Sequence, residues 1–268
     1  MARAPGGGRN PPVLKRYGQH FLSDTRILTA IVDALGPGTA DTVVEIGPGR
    51  GSLTEILAER SGRVVGIEID RALTEHLRKK FADKSNVEIV QADVLETDLA
   101  TVGGNEFLLI GNVPYYITTP IVFKALEPPI PLRSVFLVQS EVADRMAATE
   151  DDESYGALSV NISVVARVER VLDVPATSFR PPPKVESAVV RITPLPRALV
   201  PSDALAGFRT FIQAVFGLRR KQMLRVLRTV RGLSVAEAEA LLEKAGIPSE
   251  ARPETVSPET FARLYSLF

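Results

Sequence analysis

The sequence predicts an α/β protein with a mostly parallel, seven-stranded sheet, followed by a small all-helical C-terminal domain. Three observations carry that reading. Between Asp41 and Arg191 a short β-branched run, a turn and an amphipathic stretch recur, which is the pattern of crossover units. One such run leads directly into a glycine-rich turn, Gly47-Pro48-Gly49-Arg50-Gly51. After Thr193-Pro194-Leu195-Pro196, whose proline spacing is that of a linker, β-branched runs cease and helical periodicity and caps take over, with Ser234 three residues before Glu237 as a capping box.

Taken in order, the N-terminal stretch to Pro12 is basic and rich in Gly and Pro, without the apolar segment of a signal peptide. Residues 1–14 are therefore expected to form a disordered tail ahead of an α/β domain at 15–194 and a helical domain at 195–268. Helices are expected at 24–35, 52–59, 71–81 and 119–126, and strands at 42–46, 63–68, 87–91, 107–112 and 135–139. Two later runs, 158–168 and 186–192, read as strands joined by a long proline-bearing connection, which suits an antiparallel pair closing the sheet edge. No later run is long enough to span a membrane.

Composition removes several chemistries. The chain has no cysteine and no tryptophan, and only His20 and His76 as imidazoles, so disulfide frameworks and the usual zinc ligand sets are excluded; no metal is expected. A reducing, cytoplasmic setting fits this composition. The formal net charge of +0 does not by itself favour a polyanion as partner, but the charge is segregated. Between Phe216 and Gly232, six cations (Arg219, Arg220, Lys221, Arg225, Arg228 and Arg231) occur without one acid. Lys221, Arg225 and Arg228 would share one helix face, with Val215, Leu224, Leu227 and Val230 forming an apolar stripe on the same helix. Such a face is either simply solvated or a surface for nucleic acid.

The glycine turn follows an apolar strand and precedes a helix, so its backbone can approach a nucleotide ligand without interference from Cβ atoms. Its spacing departs from the dinucleotide fingerprint, which would place the third glycine at Ser52 rather than Gly51. Glu68, 21 residues beyond Gly47 at the end of the second strand, is placed to accept hydrogen bonds from ribose hydroxyls. Asp93, after the third strand, is placed to accept the amino proton of an adenine. Each acid alone also has a second reading, as a helix cap or turn residue. Together with Gly47 and Gly49 at successive strand ends, they define a nucleotide-binding edge.

The fourth strand ends in Asn112-Val113-Pro114-Tyr115. An exocyclic adenine amine is a poor nucleophile, because its lone pair is delocalised into the ring. Acceptors aimed at its N–H groups favour pyramidalisation, and the Asn112 side-chain carbonyl and the Val113 backbone supply them. Pro114 fixes φ, and Tyr115 offers a flat face for an extruded base. Catalysis of this kind needs orientation rather than a strong base.

These motifs, with Tyr17-Gly18-Gln19-His20-Phe21-Leu22, Ser154 to Ser159 and Phe179-Arg180-Pro181-Pro182-Pro183-Lys184-Val185, make the chain similar to the bacterial small-subunit (16S) rRNA adenine N6-dimethyltransferases, the KsgA family. The resemblance runs from about Lys15 to Phe268. It implies a class I, Rossmann-like fold with S-adenosyl-L-methionine as cofactor, held by His20, Leu22, Gly47, Glu68, Asp93 and Asn112. It implies that Tyr115 and Phe179 bracket a flipped adenine, one of two adjacent adenines in the 3′-terminal hairpin loop of 16S rRNA within an immature small ribosomal subunit. On this reading the protein is a monomer, and Arg219, Arg220, Lys221, Arg225 and Arg228 contact rRNA. Histidine stands at position 20 where the family more often has asparagine, and Val113 replaces a commoner leucine. The macrolide-resistance 23S rRNA methyltransferases share the first motif and the Asn-x-Pro-Tyr turn, but Thr118-Thr119-Pro120, the triple proline with Lys184, and Arg219-Arg220-Lys221 resemble the small-subunit enzymes more. Non-catalytic readings are a ribosome assembly factor or, as in the related mitochondrial transcription factor, a nucleic-acid-binding partner. A nicotinamide oxidoreductase would use the glycine turn and Glu68 but gives no reason for Asn112 to Tyr115.

Overall fold

The computed structural model describes residues 20–268. The tail expected at 1–14 and the Tyr17-Gly18-Gln19 portion of the first motif lie outside the described residues. The chain runs through β1 (Phe21–Leu22), α1 (Thr25–Leu35), β2 (Thr42–Ile46), α2 (Ser52–Arg60), β3 (Arg63–Glu68), α3 (Arg71–Lys80), β4 (Val87–Gln91) and α4 (Leu99–Gly103). It continues through β5 (Leu108–Asn112), a 3₁₀ turn (Tyr115–Ile117), α5 (Thr118–Ala125), β6 (Arg133–Gln139), α6 (Ser140–Ala147) and α7 (Ala157–Ser163). The remainder is β7 (Ala166–Val174), β8 (Phe179–Arg180), β9 (Ser187–Pro194), α8 (Leu205–Phe216), α9 (Met223–Arg231), α10 (Val235–Ala245) and α11 (Pro258–Tyr265).

Seven strands form one sheet in the order β4-β3-β2-β5-β6-β9-β7, parallel from β4 to β6, with β9 antiparallel to both β6 and β7. The inner parallel strands β2, β3 and β5 are largely apolar, as burial on both faces requires: Val43, Val44, Val64, Val65, Leu109 and Ile110 are wholly buried. Asp24 caps α1 by accepting from Arg26 N at 3.0 Å, and Asp70 caps α3 by accepting from Ala72 N at 2.8 Å. A separate two-stranded pairing of β1 with β8 brings residues 21–22 against 179–180.

The run 158–168 is a correction. It is helical to Ser163 and becomes a strand only at Ala166. Leu158, Ser159, Val160, Asn161 and Ile162 are all buried, so the apolar run reflects a helix covered on every side rather than a strand. The strand β7 lies further on and, paired antiparallel with β9, does close the sheet edge.

One apolar core joins the sheet to the C-terminal helices, running from Val44, Phe136 and Val190 through Tyr155 and Leu158 to Phe208, Ile212, Leu227 and Phe261. The proline-bearing segment expected as a linker is docked: Leu195 N donates to Val165 O at 2.9 Å and Leu199 N to Val164 O at 2.8 Å. Tyr155 reaches across and donates its hydroxyl to Val256 O at 2.8 Å. Among the described residues, no helix is long and apolar enough to cross a membrane.

Candidate active site

Strand order reverses between β2 and β5, because β2 continues outward to β3 while β5 continues the other way to β6. In open α/β sheets the carboxyl ends of strands at such a reversal leave a crevice for a ligand. Here it is a cavity of about 240 Å³ lined by residues from the ends of β2, β3, β4 and β5 and from β1. The glycine turn forms its floor. Gly49 sits at φ +60°, and a Cβ there would lie 3.0 Å from Phe21 Cε1; Gly51 sits at φ +81°, with a Cβ position 2.7 Å from Phe81 Cε2. Neither position takes a side chain without strain.

Two acids stand beneath this turn. Glu68, 5% exposed, accepts from Gly49 N at 3.1 Å through one oxygen and from Asp70 N at 2.9 Å through the other, and burial raises its pKa. Glu45 is 2% exposed and accepts from Thr54 Oγ1 at 2.6 Å; burial, with a smaller contribution from Glu68, pushes its pKa up to about 7. Asp93 lines the cavity at the end of β4 and accepts from Leu95 N at 2.9 Å with Oδ1. Glu68 and Asp93 thus hold their own turns while facing the cavity, so the capping and ligand-binding readings apply to the same side chains. Ile69, which follows Glu68, is 47% exposed on the cavity wall, an apolar side chain placed where a flat ring can cover it. Sequence reasoning missed it, and its signal is an apolar residue directly after a strand-end acid.

At the other end of the cavity, β5 delivers Asn112, whose Nδ2 donates to His20 O at 3.0 Å. That bond fixes the amide and leaves Oδ1 as a free acceptor role for a substrate N–H. His20 is anchored in turn, with its Nδ1 2.8 Å from Pro181 O, so Nδ1 carries the proton. Tyr115 shares a hydrogen bond of 2.7 Å with Ser187 Oγ at the start of β9, and its ring is stacked on that of His20 at 5.9 Å and 20°. Burial raises the Tyr115 hydroxyl above its usual range. Pro114 O accepts from Ile117 N at 3.1 Å, which closes the 3₁₀ turn carrying Tyr115. Val113 is 1% exposed and packs into the core, so only its backbone serves the cavity.

His20, Leu22, Gly47, Gly49, Glu68, Asp93, Asn112, Val113, Pro114 and Tyr115 therefore line one cavity. Phe179 does not, and here the expectation is corrected. It is wholly buried in β8, opposite Leu22 of β1, in a cluster with Leu28 and Val189. Its ring is committed to the core, and the ring that faces Tyr115 is that of His20.

The basic segment is also arranged differently from expectation. Helix α8 ends at Phe216 and α9 starts at Met223, so Arg219, Arg220 and Lys221 sit in the turn between them, while Arg225 and Arg228 lie on α9. All five are exposed. Val215 belongs to α8; on α9 the expected Leu227 is buried together with Met223 and Val226, while Leu224 and Val230 are partly buried against the same core. Among the described residues, no group of His, Asp and Glu is arranged to hold a metal.

Comparison with known proteins places this geometry. A family model described as ribosomal RNA adenine dimethylase matches residues 13–268. The ribosomal RNA small subunit methyltransferase A of Bacillus mycoides is 40% identical over 260 residues, covering 93% of this chain and 89% of the relative. The protein of the same name from Caldanaerobacter subterraneus is 39% identical over 255 residues, covering 93% and 95%. Among solved structures, a dimethyladenosine transferase from Plasmodium falciparum superimposes with a TM-score of 0.79 at 25% identity, over 93% of this chain and 97% of that one. The 23S rRNA methyltransferase ErmE gives 0.73 at 29% identity, over 92% and 98%.

Proposed function

This chain belongs to the ribosomal RNA adenine dimethylase family, and from that premise we propose that it transfers methyl groups from S-adenosyl-L-methionine to N6 of two adjacent adenines in the 3′-terminal hairpin loop of 16S rRNA, within the small ribosomal subunit. The observation that carries the reading is Asn112, an amide oriented by the His20 carbonyl at the sheet's switch point, between the glycine cradle and the Tyr115 ring.

The cradle fits the cofactor on its own features. Gly49 leaves bare backbone beside Phe21, Glu68 is a buried carboxylate with acceptor capacity for ribose hydroxyls, Asp93 has a second oxygen for an adenine amino group, and Ile69 offers an apolar face. When bound, S-adenosyl-L-methionine supplies a methyl group on a sulfonium centre that departs as a neutral thioether. The chain's contribution is placement. Asn112 Oδ1 and the Val113 carbonyl accept the two N6 protons, turning the amine lone pair out of conjugation, while the half-buried Tyr115 ring supports the base. Once alkylated, the nitrogen is acidic enough to lose its proton to water.

The exposed cations of the turn 219–221 and of α9 form the rRNA-binding face in this reading, acting through the phosphate backbone, and the protein acts as a monomer. Replacing Arg219, Arg220 and Lys221 together with glutamine is expected to weaken association with small subunits and to reduce the slope of log affinity against log salt by about 2 to 3. An unchanged slope would return those residues to a solvated surface.

The deciding experiment is transfer of radiolabelled methyl to unmethylated small subunits and, separately, to large-subunit rRNA, followed by nucleoside analysis. Dimethyladenosine confined to small-subunit rRNA is the expected result. Label on large-subunit rRNA alone would assign the chain to the substrate named for its structural relative ErmE, and no label would leave a binding role.

A further inference from the structure

Among the described residues only two aromatic rings are exposed, Tyr116 at 62% and Phe268 at 40%. Phe268 is nevertheless engaged: it packs edge-on against Phe211, with ring centroids 5.5 Å apart, and lies under the Arg231 guanidinium at 4.0 Å. Tyr116 makes no ring contact of either kind among the described residues, although it lines the same cavity as Asn112 and Tyr115. Burying such a ring is favourable, and a bare one at the rim of a site is a face that a ligand can cover.

Its direction follows from its place in the chain. Tyr115, Tyr116 and Ile117 form a 3₁₀ turn, in which successive side chains diverge by about 120°. Tyr115 is tied inward by Ser187 and faces His20, which sends the Tyr116 ring outward over the mouth. A base drawn into the cavity leaves its neighbour with one stacking face uncovered, which is unfavourable. An aromatic face at the mouth replaces that lost partner, and it does so for any base, since every base has a π-face.

We propose that Tyr116 is the stacking platform for the unpaired nucleotide adjacent to the adenine being methylated. The inference rests on the rRNA adenine reading given above. It makes Tyr116 a positioning residue for the adenine in the cavity, acting through the neighbouring base.

The test uses Tyr116→Ala, Tyr116→Phe and Tyr116→Trp in the full chain, with unmethylated small subunits as substrate. Tyr116→Ala is expected to lower kcat/KM for small subunits by roughly 5- to 150-fold, with the affinity for S-adenosyl-L-methionine and the melting temperature unchanged. Both aromatic variants should remain near wild type. Because the chain contains no tryptophan, Tyr116→Trp also introduces a single indole, whose emission should be insensitive to S-adenosyl-L-methionine alone. Wild-type kcat/KM in Tyr116→Ala would overturn the inference. So would a weaker cofactor affinity in that variant with quenching of the indole by cofactor alone, which would give the ring to the cofactor instead. Wild-type protein that fails to label small subunits would overturn this inference and the reading beneath it together, whereas an active wild type matched by Tyr116→Ala would overturn this inference alone.

Discussion

The two ends of the cavity are held by different kinds of bonds. At the β2–β3 end, Glu45 is bonded to Thr54 nine residues on, and Glu68 to Gly49 and Asp70, nineteen and two residues away. At the β5 end, Asn112 is held by His20 across 92 residues, Tyr115 by Ser187 across 72, and His20 by Pro181 across 161. The first end is built by local chain geometry around buried acids. The second exists only when three distant segments meet. The difference teaches that the cradle proposed for the cofactor is specified by a short stretch of chain, whereas the end proposed for the reaction depends on completed tertiary structure.

Four substitutions separate the two ends. The largest effect is expected from Asn112→Ala, which removes the acceptor for the substrate N–H groups. Methyl transfer should fall on the order of 1000-fold while equilibrium dialysis still detects cofactor and filter binding still detects rRNA. Wild-type turnover in this variant would remove Asn112 from the mechanism.

Next is Glu45, whose carboxyl is raised from 4.5 to about 7 by burial. Below pH 4.5 the folded and unfolded states are both protonated and the shift has no effect. As pH rises towards 7 the unfolded chain ionises first, so stability is lost, reaching about 3 kcal/mol above pH 7. Glu45→Gln should therefore be more stable than wild type at pH 8 and lose much of the decline between pH 5 and 7, read by urea denaturation. Identical pH profiles for the two proteins would refute the buried neutral carboxyl.

Gly49→Ala comes third. Placing a side chain at φ +60° against Phe21 should cost about 1–2 kcal/mol of stability and weaken cofactor binding, without changing rRNA affinity. A fully stable variant would mean that the turn relaxes freely. The smallest effect belongs to Ser187→Ala, which leaves the Tyr115 hydroxyl without its partner. Removing one such bond is worth about 1 kcal/mol, so roughly a fivefold loss in kcat is expected with cofactor affinity intact. If cofactor affinity falls instead, the two ends are coupled more tightly than their bonding pattern implies.

The same contrast decides what the sequence discloses. Strands Thr42–Ile46, Arg63–Glu68 and Val87–Gln91 coincide with their expected bounds, because each is a short β-branched run flanked by turn residues. The places of the glycine turn, Glu68 and Asp93 at the cavity are legible for the same reason: each stands at the end of such a run. The helix Ala157–Ser163 is misread because complete burial erases the period that separates helix from strand. The pairing of β1 with β8, the seat of Phe179 and the bond from His20 to Asn112 have no local signature, since each joins segments far apart in the chain. The break of the basic segment at Lys221 is hidden likewise. Gly217 and Gln222 punctuate it weakly, and the docking of α8 and α9 into one core decides where the helices end.

That shared core makes a caliper of the molecule. With Leu195 and Leu199 tied to the α7–β7 junction and Tyr155 fastened to Val256, the cationic turn at 219–221 and the mouth beside Tyr115 are carried by elements packed on one core. On the reading proposed above, an RNA helix gripped at one jaw meets the other at a single reach. The loop nucleotides presented at the mouth are then set by their distance from the grip, and the acceptors at Asn112 and Val113 choose among them by the amino group they carry.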